Sequence, residues 1–197
     1  MVRHQFMSRA SGFSLMEVMV AVIIICVGLL GIAKMQSLSL SNTTVSRQRA
    51  VAAFEAASMA SAIHANRDYW SQVPANFQVS ITSNPTTVTS TDATLKGDIA
   101  APSACIATAA GGALCTAPQL AGFDVARWWN NSLSVLLPNP SALIQCSQIA
   151  GAAAPISCQI QITWSEKAVA MNAQETAQAN VANVQFQTPT YTLYVQP

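Results

Sequence analysis

The pattern of hydrophobic and polar residues gives the chain an apolar beginning and a mixed remainder. Residues 13–33 contain one charged side chain, Glu17, and are otherwise rich in Val, Ile, Leu and Met. As a helix this stretch is about 31 Å long, which matches a bilayer hydrocarbon core of about 30 Å. Because such a helix is apolar on every side, it belongs in a membrane or deep within other protein. The pattern therefore predicts a membrane-spanning helix.

Helical spacing continues beyond Lys34, which closes the apolar run. The chain has no Pro or Gly from Met35 to about Trp70. Apolar residues recur there at the helical intervals of three, four and seven residues, at Val45, Ala52, Ala56, Met59 and Ile63. We therefore expect one helix from about Ser14 to Asn66, with an amphipathic second half.

The remainder predicts strands and a further helix. Residues 77–82 alternate apolar and polar side chains and predict a strand, whereas residues 86–94 fit either a second strand or an exposed loop. Apolar positions between Leu120 and Leu137 predict a helix that Asp124 caps and Pro138 ends.

The clearest strand is residues 156–164, with Ile and Cys on one face and Ser, Gln and Thr on the other. A strand with one polar, solvent-exposed face is typical of an antiparallel sheet that lies on a helix. Residues 184–188 and 191–195 fit a hairpin, and residues 166–183 fit a long loop or a short helix. The long N-terminal helix and the alternating C-terminal strands together favour the α+β class.

The start of the apolar run carries an unusual acid. A lone carboxylate at membrane depth is costly and usually has a partner, yet the run offers no cation for Glu17. A cation arises if the chain is cut between Gly12 and Phe13, because the new α-amine is positive near neutral pH. Residues 1–12 include Arg3, His4 and Arg9 and no acid, and positive residues hold that end in the cytoplasm.

These features resemble the signal of a type IV prepilin. The resemblance implies cleavage after Gly12 and N-methylation of Phe13, both by a prepilin peptidase that is also a methyltransferase. It also implies that Glu17 is the assembly glutamate, which pairs with an N-terminal amine when a subunit docks into the filament. Two looser patterns, near Asn66 and around Asp124 to Pro138, resemble the PilV-like minor pilins, the type IV pilus modification group.

The resemblance implies a pilin-like α+β fold, in which a long N-terminal membrane-spanning helix packs on a C-terminal antiparallel sheet. It also implies four segments. They are a cleaved basic leader (1–12), a transmembrane half-helix (13–34), an amphipathic periplasmic half-helix (35–70) and a globular α+β head (71–197). The expected function is that of a structural minor pilin in an initiation or tip complex, serving biogenesis, adhesion and twitching motility. Implied partners are other minor pilins, the major pilin, the prepilin peptidase and the inner-membrane assembly platform. The chain is expected to cross the inner membrane once, with a periplasmic head, before it enters the pilus fibre.

The sequence is also compatible with two other functions. A minor pseudopilin of a type II secretion system shares the same leader and Glu17. An adhesin or DNA-binding tip module needs an exposed aromatic or basic patch, for which Trp70, Trp128 and Arg127 are the candidates. Core packing is the expected role of Trp129 and Trp164, given their apolar spacing.

Composition and the absence of known motifs argue against two classes of function, nucleic-acid binding and enzyme catalysis. Hydrophobic residues make up 51 % of the chain and charged residues 9 %, well below the usual quarter. The formal net charge is +1, and loss of Arg3 and Arg9 with the leader changes it to −1. No basic field remains for nucleic acid, so binding to nucleic acid is not expected. Nucleophile-elbow, phosphate-loop and zinc-protease motifs are absent, and the chain is not expected to be an enzyme or to need a cofactor.

Five cysteines complete the candidate chemistry. Cys26 lies in the apolar run and is expected to be a small apolar filler. The other four follow the anchor and are expected in the periplasm, where disulfides persist. Close spacing favours two pairs among the three possible pairings, Cys105 with Cys115 and Cys146 with Cys158. A zinc site is the competing interpretation, but the chain has no C-x₂-C spacing, and no metal is expected.

Overall fold

A computed structural model of the chain describes residues 12, 14–74, 76–83, 85–105, 114–148, 155–167 and 186–197. The chain forms two compact units, Met1–Thr43 and Thr44–Pro197. The leader residues 1–11 and Phe13 lie outside the described residues, as do residues 106–113 and 168–185.

Helix α1 covers Leu15–Ala65, close to the expected Ser14–Asn66. Its residues in the second unit place small and apolar side chains on one buried stripe: Ala52, Ala56, Met59 and Ile63. This stripe has the spacing of one helix face, so the predicted amphipathic pattern is confirmed. A short helix α2, Arg67–Trp70, follows at once.

A five-stranded antiparallel sheet forms the other main layer of the second unit. Its strands are β1 Phe77–Thr82, β2 Thr87–Ser90, β3 Ser141–Gln148, β4 Ile156–Thr163 and β7 Thr190–Val195. Their spatial order is β2-β1-β3-β4-β7. One face of the sheet shares a single hydrophobic core with the buried stripe of α1. The α+β class, a long helix with an antiparallel sheet, is confirmed.

Three aromatic rings pack against one another in one part of this core. Tyr69, Trp70 and Phe77 meet edge to face, with ring centroids 5.3 to 6.2 Å apart. Edge-to-face packing is favourable because the positive ring edge meets the negative face. The hydroxyl of Tyr69 donates to Asp92 Oδ2 at 2.7 Å. Burial and this hydrogen bond both raise the pKa of Tyr69.

The middle of the chain contains a helix that the sequence analysis did not predict. Helix α3 spans Ala93–Ala100, directly after strand β2, which is the strand that residues 86–94 were expected to form if they were not a loop. Its N-terminal cap is Asp92, whose Oδ1 accepts from the backbone N–H groups of Thr94 and Leu95 at 2.9 and 3.2 Å. Such a cap satisfies donors that have no partner within the helix.

The predicted helix before Pro138 exists, but its start is different. Helix α4 spans Ala117–Trp128, and its cap is Thr116, not Asp124. The backbone N–H of Thr116 donates to Gln119 Oε1 at 3.0 Å, an arrangement typical of a helix start. Asp124 therefore lies inside the helix. A π-helical turn, Trp129–Leu133, and a short helix α5, Ser134–Leu136, continue to the Pro138 turn.

The C-terminal hairpin prediction is wrong. Strand β7 pairs with β4, and residues Phe186–Gln187 form a separate strand, β6, that pairs with β5, Glu166–Lys167. Residues 168–183 of the predicted loop or helix lie outside the described residues. Glu166 is buried, with 4 % of its surface exposed, and the guanidinium of Arg49 donates to both of its carboxylate oxygens at 3.2 and 2.8 Å. This ion pair links β5 to helix α1.

Candidate functional site

The candidate assembly site is the first turn of helix α1. The carbonyl oxygen of Ser14 accepts from the backbone N–H groups of Glu17 at 3.0 Å and Val18 at 3.3 Å, so the helix begins at Leu15. Gly12 precedes it and is exposed. Phe13, the expected mature N-terminus and methylation site, lies outside the described residues.

Glu17 is exposed in this first turn. An acid there interacts favourably with the positive end of the helix dipole. Among the residues that the structure describes, no cation lies within ion-pair distance of its carboxylate. The carboxylate is therefore available to a group outside the described part of this subunit.

Beyond Glu17, the helix presents apolar side chains in every direction. Large apolar residues from Leu15 to Ile32 keep about half or more of their surface exposed, and Cys26 is exposed among them with a free thiol. Within the described residues, α1 is the helix long and apolar enough to cross a membrane. Because burying this surface is strongly favourable, the segment requires a bilayer or other apolar helices around it.

Residues 7–33 match the family model of the prokaryotic N-terminal methylation motif. The match supports a type IV pilin-type protein. It includes Gly12, Phe13 and Glu17, the residues that carried the resemblance in the sequence. No curated protein and no solved structure shows significant similarity to the chain.

A pilin-type motif points to a structural protein and not to an enzyme. It suggests association with other pilins and with the prepilin peptidase. The motif and the apolar helix together are consistent with membrane anchoring and with a place in a pilus.

Both predicted cysteine pairs are disulfides in the structure. Cys105 and Cys115 are joined with their Cα atoms 5.5 Å apart. Cys146 and Cys158 occupy directly opposite positions on β3 and β4, with their Cα atoms 4.0 Å apart. Because all four of these cysteines are in disulfide bonds, their thiolates are not available as zinc ligands.

The two tryptophans that an adhesin or DNA-binding module would need on its surface do not form an exposed patch. Trp70 and Trp128 are buried, with 0 and 6 % of their surface exposed, and Trp128 Nε1 donates to the backbone oxygen of Glu55 at 3.0 Å. Trp70 packs edge to face against Tyr69 and Phe77, and both tryptophans belong to the hydrophobic core. Trp129 and Trp164 are buried as expected.

Arg127 is exposed and lines two adjoining clefts beside helix α4. Their volumes are about 430 and 370 Å³. Asn131 of the π-helical turn also lines both, and Asp124 lies in the smaller one. Burial raises the pKa of Asp124, and the nearby charge of Arg127 partly offsets this effect. These clefts present hydrogen-bonding side chains to the solvent.

Proposed function

We propose that the chain is a minor pilin of a type IV pilus, most similar to the PilV group. The observation that carries this proposal is the methylation motif at residues 7–33, because the first part of helix α1, up to Ala33, is apolar on all sides and contains one acid, Glu17. A folded α+β unit follows, as a structural subunit requires. The protein acts in the initiation or tip complex, together with other minor pilins and the major pilin.

In this proposal the prepilin peptidase cleaves after Gly12 and methylates the amine of Phe13. Residues 1–12 are the cytoplasmic leader, residues 13–34 span the inner membrane, and residues 35–70 and 71–197 form the periplasmic half-helix and the head. The assembly platform then moves the subunit into the fibre. Two features support this orientation. The positive charges of the leader favour a cytoplasmic N-terminus, and disulfides persist in an oxidising compartment such as the periplasm.

Glu17 supplies the driving force for docking. An unpaired acid in a bilayer costs about 2.5–3.5 kcal/mol on insertion scales. The carboxylate lacks a cationic partner within the described residues, so pairing with the Phe13 amine of a neighbouring subunit relieves much of that cost. Because the two charges meet at one height only, the pair also sets the axial register.

The test separates processing from assembly. Mass analysis of the mature chain should find an N-terminus at methylated Phe13. Gly12→Val should block cleavage, because a branched side chain crowds the scissile bond. The matched control, Gly28→Val, places the same side chain at a position where no atom lies within 4 Å of an added Cβ and should be cleaved normally.

Assembly is measured by co-isolation with other pilins from membrane and sheared-pilus fractions. Glu17→Gln should be cleaved and inserted normally but should enter the complex poorly, and the shorter Glu17→Asp should be partly impaired. Lys34→Gln, which removes a charge at the other end of the apolar run, is the control. Normal incorporation of Glu17→Gln would exclude an assembly role for the carboxylate. Co-isolation with secretion pseudopilins instead would assign the chain to a type II system.

A further inference from the structure

The face of the five-stranded sheet opposite the core carries a row of amide side chains. Strand register aligns Gln78 with Gln145, Gln145 with Gln159, and Gln159 with Tyr194. We call these four residues the amide row. It crosses four adjacent strands and is about 14 Å long at the usual strand spacing.

Two further rows of the same face run parallel to it. They consist of hydroxyl and amide residues with one leucine: Ser80, Leu143, Gln161 and Thr192, then Thr82, Ser141, Thr163 and Thr190. We call the three rows together the polar sheet face. The five strands contain no Asp, Glu, Lys or Arg on either face. The two edge strands, β2 and β7, therefore also lack the charged side chains that commonly prevent edge-to-edge pairing.

The glutamines of the amide row differ in exposure: Gln78 and Gln145 are exposed, and Gln159 is half-buried. Within the described residues, the side-chain amides of its three glutamines make no hydrogen bond, whereas Thr163 Oγ1 and Thr190 Oγ1 bond each other at 3.1 Å. Each amide has two donors and an acceptor. Tyr194 ends the row with 69 % of its surface exposed, so an aromatic ring lies beside the amides.

We propose that the polar sheet face binds an extended, neutral polysaccharide chain. Sugar hydroxyls donate and accept hydrogen bonds, as the amides and hydroxyls of this face do. The ring of Tyr194 provides an apolar surface for the apolar side of a sugar ring, because an aromatic side chain combines apolar area with a polar tip. A face without positive charge gives no attraction to nucleic acid or to acidic polysaccharide. The inference concerns the head alone and does not depend on incorporation into a pilus.

The experiment measures retention of the full-length protein, in detergent, on microcrystalline cellulose, chitin and alginate beads. We expect retention on cellulose or chitin, little on acidic alginate, and no loss of retention between low and high salt, because no charges are paired. Gln145→Glu should lower the apparent affinity about tenfold, which corresponds to about 1.4 kcal/mol, because a carboxylate loses the donors and must be desolvated. Gln36→Glu, which adds the same charge on exposed α1, should bind like the wild type.

A second pair of variants tests the ring. Tyr194→Ala should also weaken retention, whereas Phe54→Ala, which removes a ring that is 71 % exposed on α1, should not. Thermal melting identifies any variant that does not fold, and the Tyr194 pair then decides alone. Failure of the wild type to bind either neutral polymer would overturn the proposal, as would equal binding by Gln145→Glu and Gln36→Glu. Loss of pilin co-isolation by Gln145→Glu with polysaccharide binding intact would show instead that the face contacts other pilins.

Discussion

At Gly122, helix α4 lies so close to Asp98 of helix α3 that a side chain would not fit. A Cβ atom placed on Gly122 would lie 2.9 Å from the carbonyl carbon and 3.2 Å from the Cα of Asp98, and closer still to its Cβ. Real Cβ contacts of 2.9 Å are almost unknown. Two of these three neighbours are backbone atoms, so no rotation of a side chain can relieve the overlap.

The two opposing effects of Gly122→Ala can be compared. Alanine in a helix interior is favoured over glycine by about 0.5–1 kcal/mol. Overpacking a close-packed site typically costs about 1–3 kcal/mol. Because the backbone of α3 must shift, we expect the upper part of that range and a net loss of about 1–2 kcal/mol. For a unit of this size that loss lowers Tm by roughly 2–8 °C.

Gly97→Ala is the matched control on helix α3. No atom lies within 4 Å of a Cβ placed there, so only the gain in helix propensity remains, and the variant should be more stable than the wild type by about 0.5–1 kcal/mol. Both variants are compared by thermal and urea unfolding of the full-length chain in detergent. The reasoning is refuted if Gly122→Ala is as stable as Gly97→Ala.

Three further predictions concern the second unit. Arg49→Met should lower the free energy of unfolding, because it leaves the buried carboxylate of Glu166 unpaired; adding Glu166→Gln should recover part of the loss in a double-mutant cycle. Burial raises the pKa of Glu55, so the folded chain holds that proton more tightly and loses stability as pH rises above about 4.3. Glu55→Gln should therefore exceed wild-type stability in urea unfolding at pH 7 and match it near pH 3; a constant difference would contradict this. Non-reducing peptide mapping of the exported chain should recover both disulfides, and four free thiols would reject them.

Elements with strong periodicity were predictable from the sequence. Helix α1 follows from its long uninterrupted helical spacing. Strand β4 follows from the alternation of Ile160 and Ile162, both buried, with Gln159 and Gln161 on the other face. In such elements the residue pattern and the packing agree, so local and tertiary preferences lead to one structure.

Other elements were missed for physical reasons. Strand β3 alternates only imperfectly, because Leu143 lies on the polar face. Helix α3 has Asp92 as a cap, with Leu95 and Ile99 buried one turn apart, and this spacing is a signal that was available. The pairing of β7 with β4 depends on tertiary contacts that no local pattern encodes.

For the candidate site, the sequence indicates which residue types to expect but not which surfaces they form, and the assembly role of Glu17 stays a prediction. Glu17 could be identified because an acid inside an apolar run is rare. The exposure of Tyr194 and the burial of Trp128 depend on which elements pack over each ring, which composition does not determine. The amide row likewise depends on register across four strands, since each glutamine alone is an ordinary strand residue.

The two disulfides also determine how the second unit responds to a pulling force. Each closes a covalent loop, of sequence separation 10 for one pair and 12 for the other. When tension is applied at the chain ends, the force passes through the disulfide bonds. The residues between the two cysteines of each pair are then not stretched. Compared with the reduced chain, the oxidised chain is therefore shorter by roughly 65 Å when fully extended. Disulfide formation therefore reduces the length to which a subunit under tension can extend.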